Sequence, residues 1–175
     1  MLKKYLAIVS FLLLLVLSNQ SDAQTLKLPY KDVGACPFEC CTYRQWSAKK
    51  QTTIYKEMKD GSPIAFRIKK GEKVIGVSGV VITTKAGVVK VLKNNKLGKV
   101  NLKAGDTLYI LTNLGEGYNK IWYKGRIIAE QVYDDSLFKQ LSEPKSIWWV
   151  KIKNRRGQIG WSKLPENFDN KDACG

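Results

Sequence analysis

The sequence predicts an all-β protein built from short strands, and two observations carry that expectation. Turn-forming residues recur about every 8–15 residues: Asp60-Gly61, Lys70-Gly71, Ala86-Gly87, Asn94-Asn95, Gly105-Asp106, Gly115-Glu116-Gly117, Lys124-Gly125 and Arg156-Gly157. Between them lie runs rich in Val, Ile, Thr, Tyr and Trp, at 73–84, 88–92, 107–112, 120–123 and 147–153. Strands of that length and spacing suit a sandwich or a small barrel. The composition agrees, because 44% hydrophobic and 26% charged residues over 175 positions describe a folded chain.

Taken from the N-terminus, residues 1–23 read as a cleavable signal peptide. Lys3 and Lys4 form the positive start. An apolar run from Tyr5 to Leu17 follows, and Ser21-Asp22-Ala23 places small residues before a cut at Gln24. The apolar run is short for a spanning helix, so no stable membrane insertion is expected after cleavage. The folded chain is then expected to be secreted or periplasmic.

All four cysteines, Cys36, Cys40, Cys41 and Cys174, lie beyond that leader. An even number in an exported chain points to two disulfides. A Cys40–Cys41 bridge would strain the intervening peptide. Each of the two remaining schemes closes one short loop near Cys36 and ties one cysteine to Cys174. Cys36–Cys41 with Cys40–Cys174 is the favoured pairing. Four thiolates could also hold Zn²⁺, but the sequence has no Cys-x-x-Cys pair and export favours oxidation, so no metal is expected.

The remaining elements are strands, with one exception. At 136–141, apolar Leu137, Phe138 and Leu141 follow Asp134-Asp135 and precede Pro144. That pattern predicts one short inserted helix. An internal repeat appears at an offset of 34: Ile68-Lys-Lys-Gly71-Glu72-Lys-Val74 matches Leu102-Lys-Ala-Gly105-Asp106-Thr-Leu108. Its physical content is a turn relieved by Gly, capped by an acid and followed by a strand.

The second copy, with the ending Trp148-Trp149-Val150-Lys151-Ile152-Lys153, Arg156-Gly157 and Ile159-Gly160-Trp161, resembles the bacterial SH3-like (SH3b) domains. The resemblance covers residues 97–164 and implies small SH3-like barrels, as two tandem related repeats with disulfide-stapled termini. The expected division is a Cys-containing segment at 24–49, a degenerate repeat at 50–95, an SH3-like domain at 96–164 interrupted near 127–146, and a tail at 165–175. Domains of this family often accompany cell-wall hydrolases as modules that bind peptidoglycan. The hydrolase part is missing here. With no His in the chain there is no Ser-His-Asp triad, no Cys-His dyad and no His-ligated metal. A non-catalytic binding module without a cofactor is therefore expected, and no enzyme.

Aromatic residues concentrate in the second repeat: Tyr109, Tyr118, Trp122, Tyr123, Trp148, Trp149 and Trp161. Aromatics beside cations can line a groove for peptide or sugar. Tyr118, Trp122 and Trp149 are the expected apolar contacts, with Lys124, Arg126 and Lys151 supplying charge. Alternation along 147–153 buries Trp148, Val150 and Ile152 and turns Trp149 outward. The family alignment, counted back from Gly160-Trp161, instead makes Trp149 the strand-leading Trp, and a β-bulge would reconcile the two. Thirty Lys and Arg against fifteen Asp and Glu give a charge of +15, which attracts anionic surfaces. Export excludes cytoplasmic nucleic acid. The expected partner is peptidoglycan or an acidic cell-envelope glycan, and the alternative is an adaptor role on an envelope protein.

Overall fold

A computed structural model describes residues 25–174. The leader reading over 1–23 lies outside the described residues. Strand makes up 56% of the described residues, with no α-helix among them. The strands are β1 (Tyr30–Val33), β2 (Gln45–Ala48), β3 (Thr52–Tyr55), β4 (Ile64–Ile68), β5 (Lys73–Lys85), β6 (Gly87–Val91), β7 (Asn95–Leu97) and β8 (Val100–Leu102). They continue with β9 (Thr107–Gly115), β10 (Tyr118–Tyr123), β11 (Arg126–Gln131), β12 (Phe138–Ser142), β13 (Lys145–Lys153), β14 (Ile159–Ser162) and β15 (Phe168–Asp169). A single 3₁₀ turn, Pro165–Asn167, precedes β15.

The strands form two main sheets. The first is curled like half a barrel and runs β15-β2-β5-β13-β14-β3-β4, with β1 also on β5. The second runs β11-β10-β9-β6-β12, and β7-β8 is a separate hairpin. Each sheet buries one side over its own core. Trp46, Ile54, Ile68, Val74, Val150, Ile152 and Phe168 fill the first. Val89, Val91, Leu108, Ile110, Ile121, Tyr123 and Phe138 fill the second.

The boundaries between these units differ from the expected 50–95 and 96–164. The second sheet is built wholly from residues 87–142. It leaves the first sheet after Lys85 and returns at Lys145, and these two residues are register partners in the β5–β13 ladder. The unit inserted into the first sheet is therefore itself a whole sheet. Adjacent exit and re-entry points let a complete unit be inserted without breaking the ladder that carries it.

The two Gly-acid turns share one hydrogen-bond scheme although they serve different sheets. Glu72 Oε2 accepts from the Lys69 N–H (3.0 Å), and Asp106 Oδ2 from the Lys103 N–H (2.8 Å). The Gly71 N–H donates to the Ala48 carbonyl at the end of β2, and the Gly105 N–H to the Val91 carbonyl at the end of β6, each at 2.8 Å. Both glycines have positive φ, 81° and 88°. There the carbonyl crowding of an L side chain would cost stability.

The expected helix at 136–141 is a correction. Asp134 caps a turn through the Ser136 N–H (2.9 Å), and Phe138–Ser142 then runs as β12 against β6, with Phe138 opposite Val91. A six-residue helix is too short to be stable alone. Pairing with β6 satisfies the same backbone groups and also buries Phe138 in the second core.

Several contacts tie the second sheet to the rest of the protein. Asp32 on β1 is buried and forms an ion pair with Lys120 on β10 at 2.7 Å. The Thr83 hydroxyl donates to the Leu111 carbonyl. Gly115 (φ 93°) lies against the Phe38–Glu39 backbone, where a Cβ would sit 2.5 Å from the Glu39 nitrogen. The disulfides are Cys36–Cys41 and Cys40–Cys174, with Cα separations of 5.5 and 5.6 Å. This is the pairing favoured from the sequence. It indicates an oxidising environment, extracellular or periplasmic. No helix of the described residues is long and apolar enough to cross a membrane.

Candidate functional site

An apolar groove lies on the outer face of the second sheet. Cross-strand register fixes its floor. Val88 on β6 stands opposite Tyr109 on β9, Tyr109 opposite Trp122 on β10, and Trp122 opposite Ile127 on β11. Their strand neighbours Val89, Leu108, Ile121 and Tyr123 point into the core. Alternation therefore turns the row outward. Tyr109 and Trp122 meet edge to face with ring centroids 5.6 Å apart, the arrangement the ring quadrupoles favour. Thr25, Leu26 and Leu28, leading into β1, line it together with Lys85 and Ala86. The groove is open to solvent and has a volume of about 570 Å³, within the range of small-molecule sites. Lys85 is the one charged residue lining it among the described residues.

The six residues expected to share one groove are distributed over both sheets. Trp122 lines the groove. Tyr118 lies on the same side of β10, at the strand's start, and is exposed. Arg126 is register partner to Tyr123, and so stands on the opposite side of the hairpin, at its exposed tip. Lys124 is committed within the protein: its ammonium pairs with Asp106 at 2.9 Å and lies 4.8 Å from the centre of the Tyr123 ring. Lys151 is in the first sheet, over the ring of Trp161 at 5.5 Å.

Trp149 is the clearest correction. It is 4% exposed and cannot be a groove contact. Its register partner Val80 is equally buried. The centre of the β5–β13 ladder is covered on both sides, so the alternation that should have turned Trp149 to solvent turns it into a second buried layer. Tyr109 belonged to the aromatic group in the sequence, but its place beside Trp122 depends on β9 and β10 pairing. Leu26, Leu28, Val88 and Lys85 carried no local signal at all.

Asp106 supports the hairpin that carries Trp122. The Tyr123 hydroxyl donates to its Oδ2 at 2.6 Å, joined by the Lys103 N–H and by the Lys124 ammonium at Oδ1. These donors lower its pKa from the ordinary 3.8 to about 2. A carboxyl depressed by folding stabilises the fold above its unfolded value, and that contribution disappears as pH falls from about 4 towards about 2. Asp106→Asn should therefore lower stability at neutral pH and flatten the stability-versus-pH slope in that acid window. Urea unfolding of both proteins across the window reads this directly. Parallel slopes would mean that Asp106 contributes no such linkage.

Compared with protein-family models, curated proteins and solved structures, the chain matches none.

Proposed function

We propose that the protein is a non-catalytic binding module of the cell envelope that holds a peptidoglycan strand in the groove over Tyr109 and Trp122. The observation that carries this reading is the outward aromatic pair at the floor of a preformed apolar groove. Three further features support it. The disulfides suit the compartment where such polymers occur. A charge of +15 attracts the wall's carboxylates, and Lys85, which lines the groove, can meet one of them. The chain's leader-like residues 1–23 agree with export.

The SH3-like reading takes a specific form here. We infer that its unit is the first sheet, in which the Gly71-Glu72 turn leads into β5 and the Trp148–Trp161 ending forms β13 and β14. The element around Gly105-Asp106, matched to the same family from the sequence, belongs instead to the inserted sheet.

Co-sedimentation with purified sacculi tests the function. Trp122→Ala should weaken wall binding by about 2 kcal/mol or more, with near-ultraviolet circular dichroism confirming a folded variant. Lys85→Ala should cost less, and chiefly at low salt. Wall binding that survives Trp122→Ala would remove the groove from the mechanism. Failure to sediment with sacculi, combined with capture of an envelope protein, would favour the adaptor role.

A further inference from the structure

A second concavity lies on the first sheet, and its chemistry is the reverse of the groove's. The curl of that sheet brings its edge strand β4 and the β4–β5 turn close to the β13–β14 turn. Between them is a pocket of about 440 Å³ into which Arg67, Lys69, Arg155 and Arg156 converge. All four are exposed, and none forms an ion pair within 4 Å among the described residues. The pocket's one carboxylate, Glu72, is committed as the turn cap on the Lys69 N–H at 3.0 Å. Lys73 and Lys153 extend the basic surface into the adjoining depression, which Arg155 shares.

The arginine-bearing turn is held by its own side chains. Asn154 is buried and its Oδ1 accepts from the Arg156 and Gln158 N–H groups, both at 3.0 Å. Its Nδ2 donates to Gln158 Oε1 at 2.8 Å. The Asn154 N–H closes on the Gln158 carbonyl and the Gly157 N–H on the Asn154 carbonyl, each at 3.0 Å. Arg155 and Arg156 therefore project from an ordered turn, so little backbone ordering remains to be lost when they engage a ligand.

We propose that this pocket is a binding site for a phosphate monoester carried on a small polar body such as a sugar. Four cations beside one committed carboxylate repel one another, and a dianion relieves that repulsion. Guanidinium forks match phosphate oxygens two at a time, which a single carboxylate satisfies less fully. The volume exceeds what a bare phosphate fills and falls in the range of small-ligand sites. The site is independent of the aromatic groove and of the reading built on it.

Calorimetric titration at low salt with glucose 1-phosphate, inorganic phosphate, glucose and acetate tests the proposal. Vesicles containing phosphatidic acid form a further arm. Glucose 1-phosphate should bind, glucose should not, and acetate should bind more weakly. Arg67→Gln and Arg156→Gln should each weaken glucose 1-phosphate by about tenfold or more. Both side chains are exposed, so the fold should survive, and an unchanged near-ultraviolet spectrum checks this. Trp122→Ala should leave this affinity intact, which separates the site from the groove. Tighter binding to the vesicles than to glucose 1-phosphate, with the same sensitivity to the two substitutions, would support the site and identify its phosphate as lipid-borne. The proposal fails if no phosphate probe binds, if acetate binds as tightly, or if both substitutions leave the affinity unchanged.

Discussion

Replacing Cys40 and Cys174 together with Ala should lower stability by about 5 kcal/mol, the largest loss expected from any change short of the cores. The bond closes a loop of 134 residues, containing every strand but β1. Its loss releases nearly the whole chain's entropy in the unfolded ensemble. The native tail has other attachments. The Ala173 N–H donates to the Cys40 carbonyl and the Thr42 N–H to the Lys171 carbonyl, both at 2.8 Å. Arg44 donates to the Asn170 and Asp172 carbonyls. The folded state should therefore keep its shape while its unfolding midpoint falls. The paired variant Cys36→Ala/Cys41→Ala opens a loop of only five residues and should cost about 2 kcal/mol by the same reasoning. Urea unfolding without reductant measures both. Equal losses, or the reverse order, would show that loop entropy is not the source of the stabilisation.

Trp149→Ala should cost about 3–5 kcal/mol, the usual range for emptying a buried aromatic site. Trp149 lies on the side of β13 opposite Trp148 and Val150, with Val80 as its buried cross-strand neighbour. The deletion therefore opens a cavity between layers, where collapse is resisted by β5 on one flank and β14 on the other. Binding to sacculi, corrected for the folded fraction, should be unchanged. Stability within about 0.5 kcal/mol of the parent, the size of a typical surface effect, would mean that this layer is not packed as described.

What was legible in the sequence depended on local chemistry. Turn residues and β-branched runs specify strand or turn within a few positions, and so the all-β class and the positions of β5, β6, β9, β10 and β13 could be read directly. Gly71-Glu72 and Gly105-Asp106 announced their turns because the acid reaches a backbone N–H only three residues away. The same kind of argument removed one disulfide scheme, since adjacent Cys40 and Cys41 cannot comfortably bond each other, but the choice between the other two was settled only in the structure.

The tertiary structure decided whatever depended on partners distant in the chain. Whether 136–141 became helix or strand turned on an open edge of β6, some fifty residues earlier. The buried side of Trp149 was set by a second covered face that no period-two pattern within 147–153 can reveal. The insertion of a whole sheet depended on Lys85 meeting Lys145, across sixty residues that pair among themselves. Tyr109 and Trp122 became one surface only because β9 and β10 are neighbours, and the converging arginines became one pocket only because the first sheet curls. In each case the deciding free energy is burial or backbone pairing between remote segments. A linear sequence displays its residues but not the register that brings them together.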